Sequence, residues 1–436
     1  MTDTTRTGSP ARDAHLLLIL GGGGMSGPDA IAAARQAGDV SVIHVAAWGQ
    51  LPAEALVRDI TDHGGTVTVV DTLDDVLPAA RKLHSARPVN GAITFSEFLL
   101  APHAQVTADL GLPGNSLESV AIAQSKSRQR LALEAARIRT PRFRVLHDAA
   151  GLADAAKYVG FPAVLKPEHG AASIGVLAVT GPEDLRPAWD AAHRLPSPFI
   201  EGPGSAWVLE QRLIGVPPAD GLADYSSVES LLVDGQPHHL GVCDRLAQRH
   251  GFVEEGAIFP SSCDPATVAA LYSEADRAIR ACGLRSGAVH TELKHTPGGP
   301  TVLEINARLG GPMGHLFRLA SDTDLAAETA RVAVGAPARL SAARPTGAAV
   351  ARFVPVPGGG AHRLVRAASP ADLLASHPEL VYARYRVQPG QVLGDKHQHV
   401  LSFMVTAPDL QAALAAVAAV EADLDLLLVP VQEAPA

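Results

Sequence analysis

The stretch HTELKHTPGGPTVLEINARLGG, residues 290–311, reads as two β-strands joined by a turn rich in proline and glycine. Period-two alternation in the second strand places Glu304, Asn306 and Arg308 on one face. Glu292 of the first strand shares that face only if the turn spans an odd number of residues or the hairpin contains a bulge. Opposed carboxylates repel each other, so their pairing favours a cation between them. Two carboxylates and an amide oxygen suit Mg²⁺, which predicts a magnesium site; an exposed hairpin with surface ion pairs is the alternative.

Two lysines upstream are candidates for binding an anion. Lys166 ends an apolar strand and is followed by a loop of small side chains, residues 170–175, whose backbone amides a phosphate can approach closely. Lys126 lies near a helix start about 40 residues earlier. Lysine supplies the compact charge that phosphate oxygens accept, whereas the alternative is that both side chains merely extend into solvent. The strand at 208–213 ends near a turn, where exposed backbone groups can bind an adenine edge or simply continue an amphipathic strand.

The first part of the chain has the pattern of a parallel sheet. Between residues 15 and 113, short apolar runs alternate with helical stretches, which predicts a Rossmann-like unit with right-handed crossovers. Gly22, Gly24 and Gly27 fit the G-x-G-x-x-G spacing directly after the first strand. A dinucleotide site also needs an acid at the end of the second strand, and that strand ends without one. We therefore interpret the glycines as tight strand-to-helix packing, with a nucleotide site as the alternative.

Composition excludes several classes of protein. Of 436 residues, 47% are hydrophobic and 19% charged, so large cores can form and global disorder is excluded. The 36 Lys and Arg against 45 Asp and Glu, a net charge of -9, argue against a nucleic-acid binder. No apolar run approaches the roughly 18 residues that cross a bilayer, and the polar N-terminus lacks the core of a signal peptide. Three cysteines without metal-ligand spacing indicate the cytoplasm.

Six motifs occur in order and together resemble the ATP-grasp carboxylate–amine ligases, especially the bacterial L-amino-acid (dipeptide) ligases of the bacilysin-synthetase type. The resemblance runs from about residue 15 to about residue 340 and is looser beyond. Each motif alone is weakly specific, whereas the ordered set is strong. The motifs are SKSRQR (125–130), FPAVLKPEHGAASIGV (161–176), VLEQRLIG (208–215), GFVEEGAIFPS (251–261), HTELK (290–294) and LEINARLGG (303–311).

The resemblance implies a role for each matching residue. Lys126 and Lys166 are expected to bind the ATP phosphates, with Ser173 in the covering loop 170–175. Adenine is expected to contact Glu210, Gln211 and Leu213. The metal, Mg²⁺ with Mn²⁺ as the alternative, is expected on Glu292, Glu304 and Asn306. Substrate is expected to meet Glu254, Arg308, Gly310 and Gly311, with Arg308 and Lys166 as the catalytic residues.

The expected fold class is α/β (α+β), in the ATP-grasp arrangement of a two-lobed ATP-binding region with antiparallel sheets. The expected parts are a disordered tail at 1–14, a Rossmann-like domain at 15–118, a small lobe with linker helices at 119–200, a large lobe carrying the Mg²⁺, ATP and substrate site at 201–345, and a small α+β subdomain at 346–436.

The expected activity is ATP-dependent coupling of an amino-acid carboxylate, activated as an acyl phosphate, to the amine of a second amino acid. The product is a dipeptide or a γ-glutamyl-type amide. The partners are small amino-acid substrates, without nucleic acid or membrane, and a homodimer is the expected form of self-association. One alternative is an ATP-grasp carboxylase or nucleotide-pathway enzyme that uses carboxyphosphate or formyl phosphate. The others are an NAD-dependent oxidoreductase and a non-catalytic ATP-binding module.

Two positions depart from the bacilysin-type pattern. That pattern has a histidine three residues after the acid that Glu254 matches, and a tryptophan after the glycine turn. This chain has Ala257 and Pro312 at those places. Both are expected beside the amino-acid pocket, so we do not transfer the substrate and expect a pocket with more room.

Overall fold

The computed structural model describes residues 14–48, 54–170, 173–194, 206–357, 360–394 and 398–431. The expected disordered tail lies outside these residues except for Ala14, and so do Ala171 and Ala172 of the expected covering loop. None of the helices in the described ranges has the length and apolar character needed to span a membrane.

The N-terminal part forms the predicted parallel sheet, with strand order β3-β2-β1-β4. Alternate residues of its central strand pack into two different hydrophobic clusters, one on each face, because helices cover both sides of a parallel sheet. The elements are β1 (His15–Leu20), α1 (Gly27–Arg35), β2 (Asp39–Val45), α2 (Glu54–Asp62), β3 (Val67–Val70), α3 (Val76–Ala86), β4 (Gly91–Ile93) and α4 (Leu100–Asp109).

The glycine-rich loop between β1 and α1 is packed tightly. A Cβ atom on Gly24 would lie 2.1 Å from the carbonyl oxygen of Phe95, which no side chain tolerates. The hydroxyl of Ser96 donates a hydrogen bond to the carbonyl of Gly22, and the Glu97 amide donates one to Gly23. These contacts confirm the interpretation of the glycines as close packing.

A helical linker leads into a four-stranded antiparallel sheet of order β5-β8-β6-β7. The pair Asn115 and Glu118 predicts a helix start at Asn115, but Ser116 caps the helix by accepting from the amide of Ser119. The Asn115 side chain instead accepts from the amides of Arg285 and Ser286, across the fold. The elements are α5 (Leu117–Ala123), α6 (Lys126–Ala135), β5 (Phe143–Leu146), α7 (Leu152–Val159), β6 (Ala163–Pro167), β7 (Leu177–Val179), α8 (Pro182–Ala192) and β8 (Trp207–Gln211).

An antiparallel sheet of eight strands forms the largest part of the structure, in the order β13-β12-β9-β10-β11-β14-β18-β16. The hairpin between β9 and β10 turns at Asp234 and Gly235 with φ of 51° and 80°, as a two-residue type I′ turn requires. The central elements are β9 (Leu222–Val233), β10 (Gln236–Leu246), β11 (Gly256–Phe259), α9 (Pro265–Ala281), β12 (Gly287–Thr296), β13 (Gly299–Asn306), α10 (Met313–Ala320) and α11 (Leu325–Ala333).

The C-terminal strands continue this sheet, because β14 pairs with β11 and then with β18. The expected boundary at residue 345 therefore precedes strands that belong to a continuous sheet, and the domain limits stay a prediction. The elements are β14 (Ala348–Pro355), β15 (His362–Arg366), α12 (Pro370–Ser376), β16 (Leu380–Tyr385), β17 (Val392–Leu393), β18 (His399–Ala407), α13 (Leu410–Ala422) and β19 (Leu427–Pro430); β17, β15 and β19 form a small antiparallel sheet.

Candidate active site

The acidic hairpin places its two carboxylates opposite each other. Glu292 pairs with Glu304, whereas the next residue, Leu293, pairs with Val302. Leu303 is thus an extra residue, a β-bulge, and it compensates for a turn of two residues between Thr296 and Gly299. The expectation that Glu292 and Glu304 share a face through an odd turn or a bulge is confirmed, with the bulge as the cause.

A cavity of about 470 Å³ lies between the four-stranded sheet β5-β8-β6-β7 and the acidic hairpin. It is here called the first cavity. It collects every residue expected at the nucleotide: Lys126, Lys166, Ser173, Glu210, Gln211 and Leu213, together with Glu292 and Glu304. These residues, up to 178 positions apart in the sequence and from five of the six motifs, therefore meet around one space.

Helix α6 positions Lys126 by lying along the outer edge of β13. The Gln129 side chain donates to the carbonyl of Ile305 at 2.9 Å and accepts from the Ile305 amide at 3.0 Å, which pairs the free edge of the strand. Arg130 donates to the carbonyl of Leu303, the bulge residue, at 2.6 Å. From the first turn of the same helix, Lys126 Nζ lies 3.5 Å from Glu304 Oε1.

The start of α6 is also bound to the strand that carries Lys166. Glu168 follows this strand, and its buried carboxylate accepts from the Ser127 amide at 3.2 Å and the Ser127 hydroxyl at 2.7 Å. The Lys126 amide donates to the carbonyl of Glu168 at 3.2 Å. An acid at a helix N-terminus satisfies free amides and the helix dipole. Glu168 therefore fixes the two lysines relative to each other.

Lys166 is held by a buried carboxylate rather than by solvent. Its Nζ donates to Glu210 Oε1 at 2.7 Å, and Arg130 Nε donates to Glu210 Oε2 at 2.7 Å. Burial opposes ionisation of Glu210, but the two cations outweigh it and hold its pKa at about 2. Burial also lowers the pKa of Lys166, and the Glu210 charge opposes that shift.

This network adds a role for Glu210 that the sequence did not predict. Its carboxylate binds Lys166 and Arg130, so it positions the lysine. The amide of Gln211 donates to the carbonyl of Arg142 at 2.8 Å, and so is occupied as well. Leu213, just beyond β8, also lines the first cavity. The adenine contact of Glu210, Gln211 and Leu213 stays a prediction.

A second cavity of about 490 Å³ adjoins the first and contains the residues expected at the substrate. Glu254, Asn306, Arg308, Gly310 and Gly311 all line it. Its wall includes apolar side chains of the N-terminal part, and the two cavities share four lining residues: Ser173, Tyr225, Glu292 and Glu304. The carboxylate pair thus stands at the junction of the two spaces.

Arg245, on β10, connects two acids of the second cavity. Its Nε lies 3.1 Å from Glu254 Oε1, and its Nη2 lies 3.3 Å from Glu292 Oε1. Burial raises the pKa of Glu254, the nearby Glu292 charge raises it further, and Arg245 opposes this shift. Burial also opposes ionisation of Glu292, but hydrogen bonds and charges from His290 and Arg245 lower its pKa. Glu292 is therefore the acid better suited to carry negative charge.

Two further ion pairs fix the walls of the second cavity. His290 Nδ1 lies 2.6 Å from the buried Glu229; burial disfavours the imidazolium, yet Glu229 raises the pKa of His290 to about 9. Arg308 Nε donates to Glu97 at 2.7 Å, which links the glycine turn to the N-terminal part. A Cβ atom on Gly310 would lie 2.3 Å from His290 Nδ1, so this turn requires glycine.

The two departures from the bacilysin-type pattern do not open the cavity. Ala257 is completely buried, pairs across strands with Arg245 and does not line the second cavity. Pro312 is buried directly before α10. The expectation that both border the pocket and give it more room is wrong in this structure.

Sequence reasoning did not single out Arg130, Arg245, Glu229 or Glu97. Glu229 and Arg245 lie within the buried stretches of β9 and β10 and are 1% exposed each. A charge inside a buried strand must be paired, and this is the signal that could have found them. Arg130 belongs to a quoted motif but carries no signal of its own.

The donor set at the junction fits magnesium. Across the described ranges, no three His, Cys, Asp or Glu side chains form a metal cage. The Glu292 and Glu304 carboxylates with the Asn306 amide form a smaller set, which suits Mg²⁺ because that ion usually keeps water and phosphate oxygens as ligands. Neighbouring Lys126 and Arg245 neutralise the two acids in the free protein.

Comparisons with known proteins support these observations. A model of the ATP-grasp domain matches residues 159–315. The alanine–anticapsin ligase of Bacillus subtilis is 25% identical over 50% of this chain and 48% of that protein. Carnosine synthase 1 of Gallus gallus is 34% identical over 46% of this chain and 22% of that protein. The chain thus spans about half or less of the length of such curated relatives.

The crystal structure of an L-amino acid ligase from Bacillus licheniformis has a TM-score of 0.74, covers 95% of this chain and 99% of that chain, and is 20% identical. At this identity the likeness establishes the fold, and it includes the N-terminal and C-terminal parts that the domain model leaves out. Residues 159–315 are therefore an ATP-grasp domain, and the chain as a whole has the ATP-grasp fold.

Proposed function

We propose that the protein is an ATP-dependent ligase that joins the carboxylate of one amino acid to the amine of another. The observation that carries the proposal is the junction of two cavities at Glu292 and Glu304. One cavity has the lysines suited to phosphates, and the other has paired acids and arginines suited to a zwitterion. Relatives in the ligase and synthase classes support the same reaction type.

ATP occupies the first cavity, with its phosphates beside the two lysines and the acidic hairpin. Lys126 and Lys166 line this cavity together with Glu292 and Glu304, and Lys126 exchanges its 3.5 Å contact with Glu304 for a phosphate oxygen. Residues Glu292, Glu304 and Asn306 hold Mg²⁺, which neutralises phosphate charge when it is bound. Lys166 stays correctly placed because it is paired with Glu210, which Arg130 holds in turn. Catalysis of phosphoryl transfer is mainly positioning and charge stabilisation, which these residues provide.

The first step activates the carboxylate. One carboxylate oxygen attacks the γ-phosphorus of ATP, the bond to the β-γ bridging oxygen breaks, and ADP leaves as an acyl phosphate forms. The activated carboxylate is either the α-carboxylate or a side-chain carboxylate. Arg308 lies beside the junction. Its guanidinium, which donates to Glu97 in this structure, turns part of its donors to the substrate carboxylate.

The second step forms the amide. The neutral amine of the other amino acid attacks the acyl carbon, and the negative charge moves to the carbonyl oxygen, which Arg308 stabilises. The carbon–oxygen bond to phosphate then breaks, and the amine proton passes to solvent or phosphate. Exclusion of water matters here, since an acyl phosphate hydrolyses readily.

The experiment that tests this function is phosphate release with ATP and Mg²⁺ across pairs of amino acids, with product masses by mass spectrometry. A pair-dependent product whose mass equals both amino acids less one water supports the proposal. Turnover that needs bicarbonate and no second amino acid would favour a carboxylase. A change in nicotinamide absorbance without ADP formation would favour an oxidoreductase.

The cytoplasm is the proposed compartment, because ATP and free amino acids are both present there. All three cysteines are free thiols in the structure, as expected for a reducing environment. A homodimer is the proposed assembly, and analytical ultracentrifugation would measure it.

A further inference from the structure

Arg386 lies where the C-terminal strands reach the second cavity. It follows β16 directly, at the outer edge of the eight-stranded sheet, and its amide donates to the carbonyl of Val400 at 2.8 Å. Its side chain is exposed and lines the second cavity together with Glu254 and Arg308. The part of the chain that begins at 346 thus contributes a cation to a cavity whose other lining residues precede it in the sequence.

The other two arginines that line this cavity already form ion pairs with acidic side chains. Arg245 lies beside Glu254 and Glu292, and Arg308 donates to Glu97. Arg386 differs from both, since none of the ion pairs that the described residues form includes it. Its guanidinium donates one long hydrogen bond, 3.4 Å, to Ser402 Oγ. A guanidinium has five donors in a fork that matches a carboxylate, so most of its donors remain for a ligand.

The position of Arg386 is fixed relative to Glu254. His399, on the neighbouring strand β18, donates from Nε2 to the carbonyl of Glu254 at 2.7 Å. Burial lowers the pKa of His399, and the nearby charge of Arg386 lowers it further, so the histidine stays neutral. Neutral His399 holds the Glu254 segment against the same strand pair that carries Arg386.

We infer that Arg386 binds the α-carboxylate of the amino acid that supplies the amine. This inference rests on the proposed function and names the class of its second substrate: an amine that carries a carboxylate, not a simple amine. The carboxylate that is activated lies at the junction with Arg308. The carboxylate that is not activated needs its own cation, and Arg386 supplies one away from that junction.

The experiment compares an acid with its amide as acceptor. The full-length wild type is first tested with ATP, Mg²⁺ and each common L-amino acid alone, with hydroxylamine as a small acceptor that traps the acyl phosphate as a hydroxamate. The best donor is then paired with the best amino-acid acceptor and with the α-amide of that acceptor. Initial rates give kcat/KM for each acceptor.

For the wild type we expect the acid to be favoured over the amide. In Arg386→Met this ratio of kcat/KM values should fall about tenfold, because one charge-assisted contact is lost for the acid only. Arg384→Met is the matched control: it removes another exposed arginine two residues earlier that does not line the cavity, and should leave the ratio unchanged. Circular dichroism verifies that both variants fold.

The outcomes separate the two proposals. A wild type that forms neither hydroxamate nor amide with any amino acid overturns the proposed function. A wild type that couples amino acids, with the same acid-to-amide ratio in Arg386→Met, overturns the inference about Arg386 alone. A fall in the ratio that appears equally in Arg384→Met also overturns it, since the effect would then come from general surface charge.

Discussion

Glu304 is the residue on which the proposed chemistry depends most directly. It borders both cavities and lies opposite Glu292 because of the bulge at Leu303. In the free protein its charge is balanced by Lys126 at 3.5 Å. The Glu304 carboxylate is therefore paired with a cation, Lys126, in the protein without metal.

We expect Glu304→Gln to reduce amino-acid-dependent ADP formation about a hundredfold, the size of effect typical for loss of one charge-stabilising group. The variant should fold, since glutamine keeps the size of the side chain. A coupled assay for ADP measures the effect. Glu134→Gln, on the exposed side of α6, is the control and should behave as the wild type. Near-normal turnover of Glu304→Gln would contradict the metal assignment.

Lys166 is the second residue with a direct role. Lys166→Met should weaken ATP binding about tenfold or more, because a hydrogen bond to a charged group is lost. Glu210 stays paired with Arg130, so the local structure should persist. Isothermal titration with a non-hydrolysable ATP analogue measures the affinity. Lys157→Met, an exposed lysine on α7, serves as the comparison, and equal affinity in the two variants would remove Lys166 from the phosphate site.

The pKa of Glu210 predicts a pH dependence of stability. Its pKa in the fold, about 2, is below the ordinary value of 4.5, so the stabilising contribution is complete above pH 4.5 and is lost as the pH falls towards 2. A shift of this size corresponds to about 3 kcal/mol. Urea unfolding of the wild type and Glu210→Gln should show a difference in unfolding free energy that shrinks below pH 4.5. A difference independent of pH would be evidence against the ionised network.

At the scale of elements, helix α6 is the part that organises the first cavity. One face of the helix bonds to the free edge of β13 through Gln129 and Arg130, and the amide of Ser127 at its start donates to Glu168. Through these contacts the helix carries Lys126 to the hairpin and ties it to the strand of Lys166. The four-stranded sheet and the eight-stranded sheet are thus connected through bonds made by α6.

Glu168→Ala should lower the unfolding free energy by about 1–2 kcal/mol, as expected for loss of a helix cap. It should also raise the KM for ATP, because Lys126 is no longer fixed. Glu168→Gln keeps one acceptor oxygen and should recover part of both effects. Thermal unfolding and steady-state kinetics measure the two quantities; a stability loss with an unchanged KM would show that the cap does not position Lys126.

The sequence predicts elements well where the pattern is local. The alternation of polar and apolar residues identifies the acidic hairpin of β12 and β13. The pair Asp234 and Gly235 identifies the turn between β9 and β10. Both signals are local, because strand faces and turn angles depend on adjacent residues. The bulge at Leu303 and the cap at Ser116 were not located in advance. Asn115 fits a cap locally but is used at Arg285 and Ser286, and such a long-range bond leaves no trace in the spacing.

For the whole molecule, the sequence does not reveal the buried charges around the site, whether they lie between motifs, as Arg245 does, or within one, as Arg130 does. The charges around Arg245 meet only after β10, β12 and the 254 segment assemble. Glu210 shows the same limit of sequence patterns. Its motif indicates a place near adenine but does not reveal that its carboxylate is the counter-ion of Lys166. Pairing of buried charges is decided by tertiary structure, which spacing alone does not encode.

Because lysine, arginine and histidine neutralise the two metal-site acids, the fold should not depend on metal. We expect EDTA to abolish ATP consumption while leaving the urea unfolding midpoint of the free protein unchanged. Addition of excess Mg²⁺ should restore activity. A clear loss of stability in EDTA would indicate a structural metal and contradict the neutralised pair.

The pairing of β11 with β14 limits how this protein can be shortened or recombined. A gene cut after codon 345 would leave the backbone groups of β11 without their neighbour and would remove Arg352, which lies 3.2 Å from the buried Glu255. Open strand edges pair with other copies, so the shortened product would accumulate as aggregates. The segment after residue 345 therefore has to be kept together with the part that contains β11. A C-terminal segment from another protein could replace it only if that segment contains a strand that pairs with β11 as β14 does.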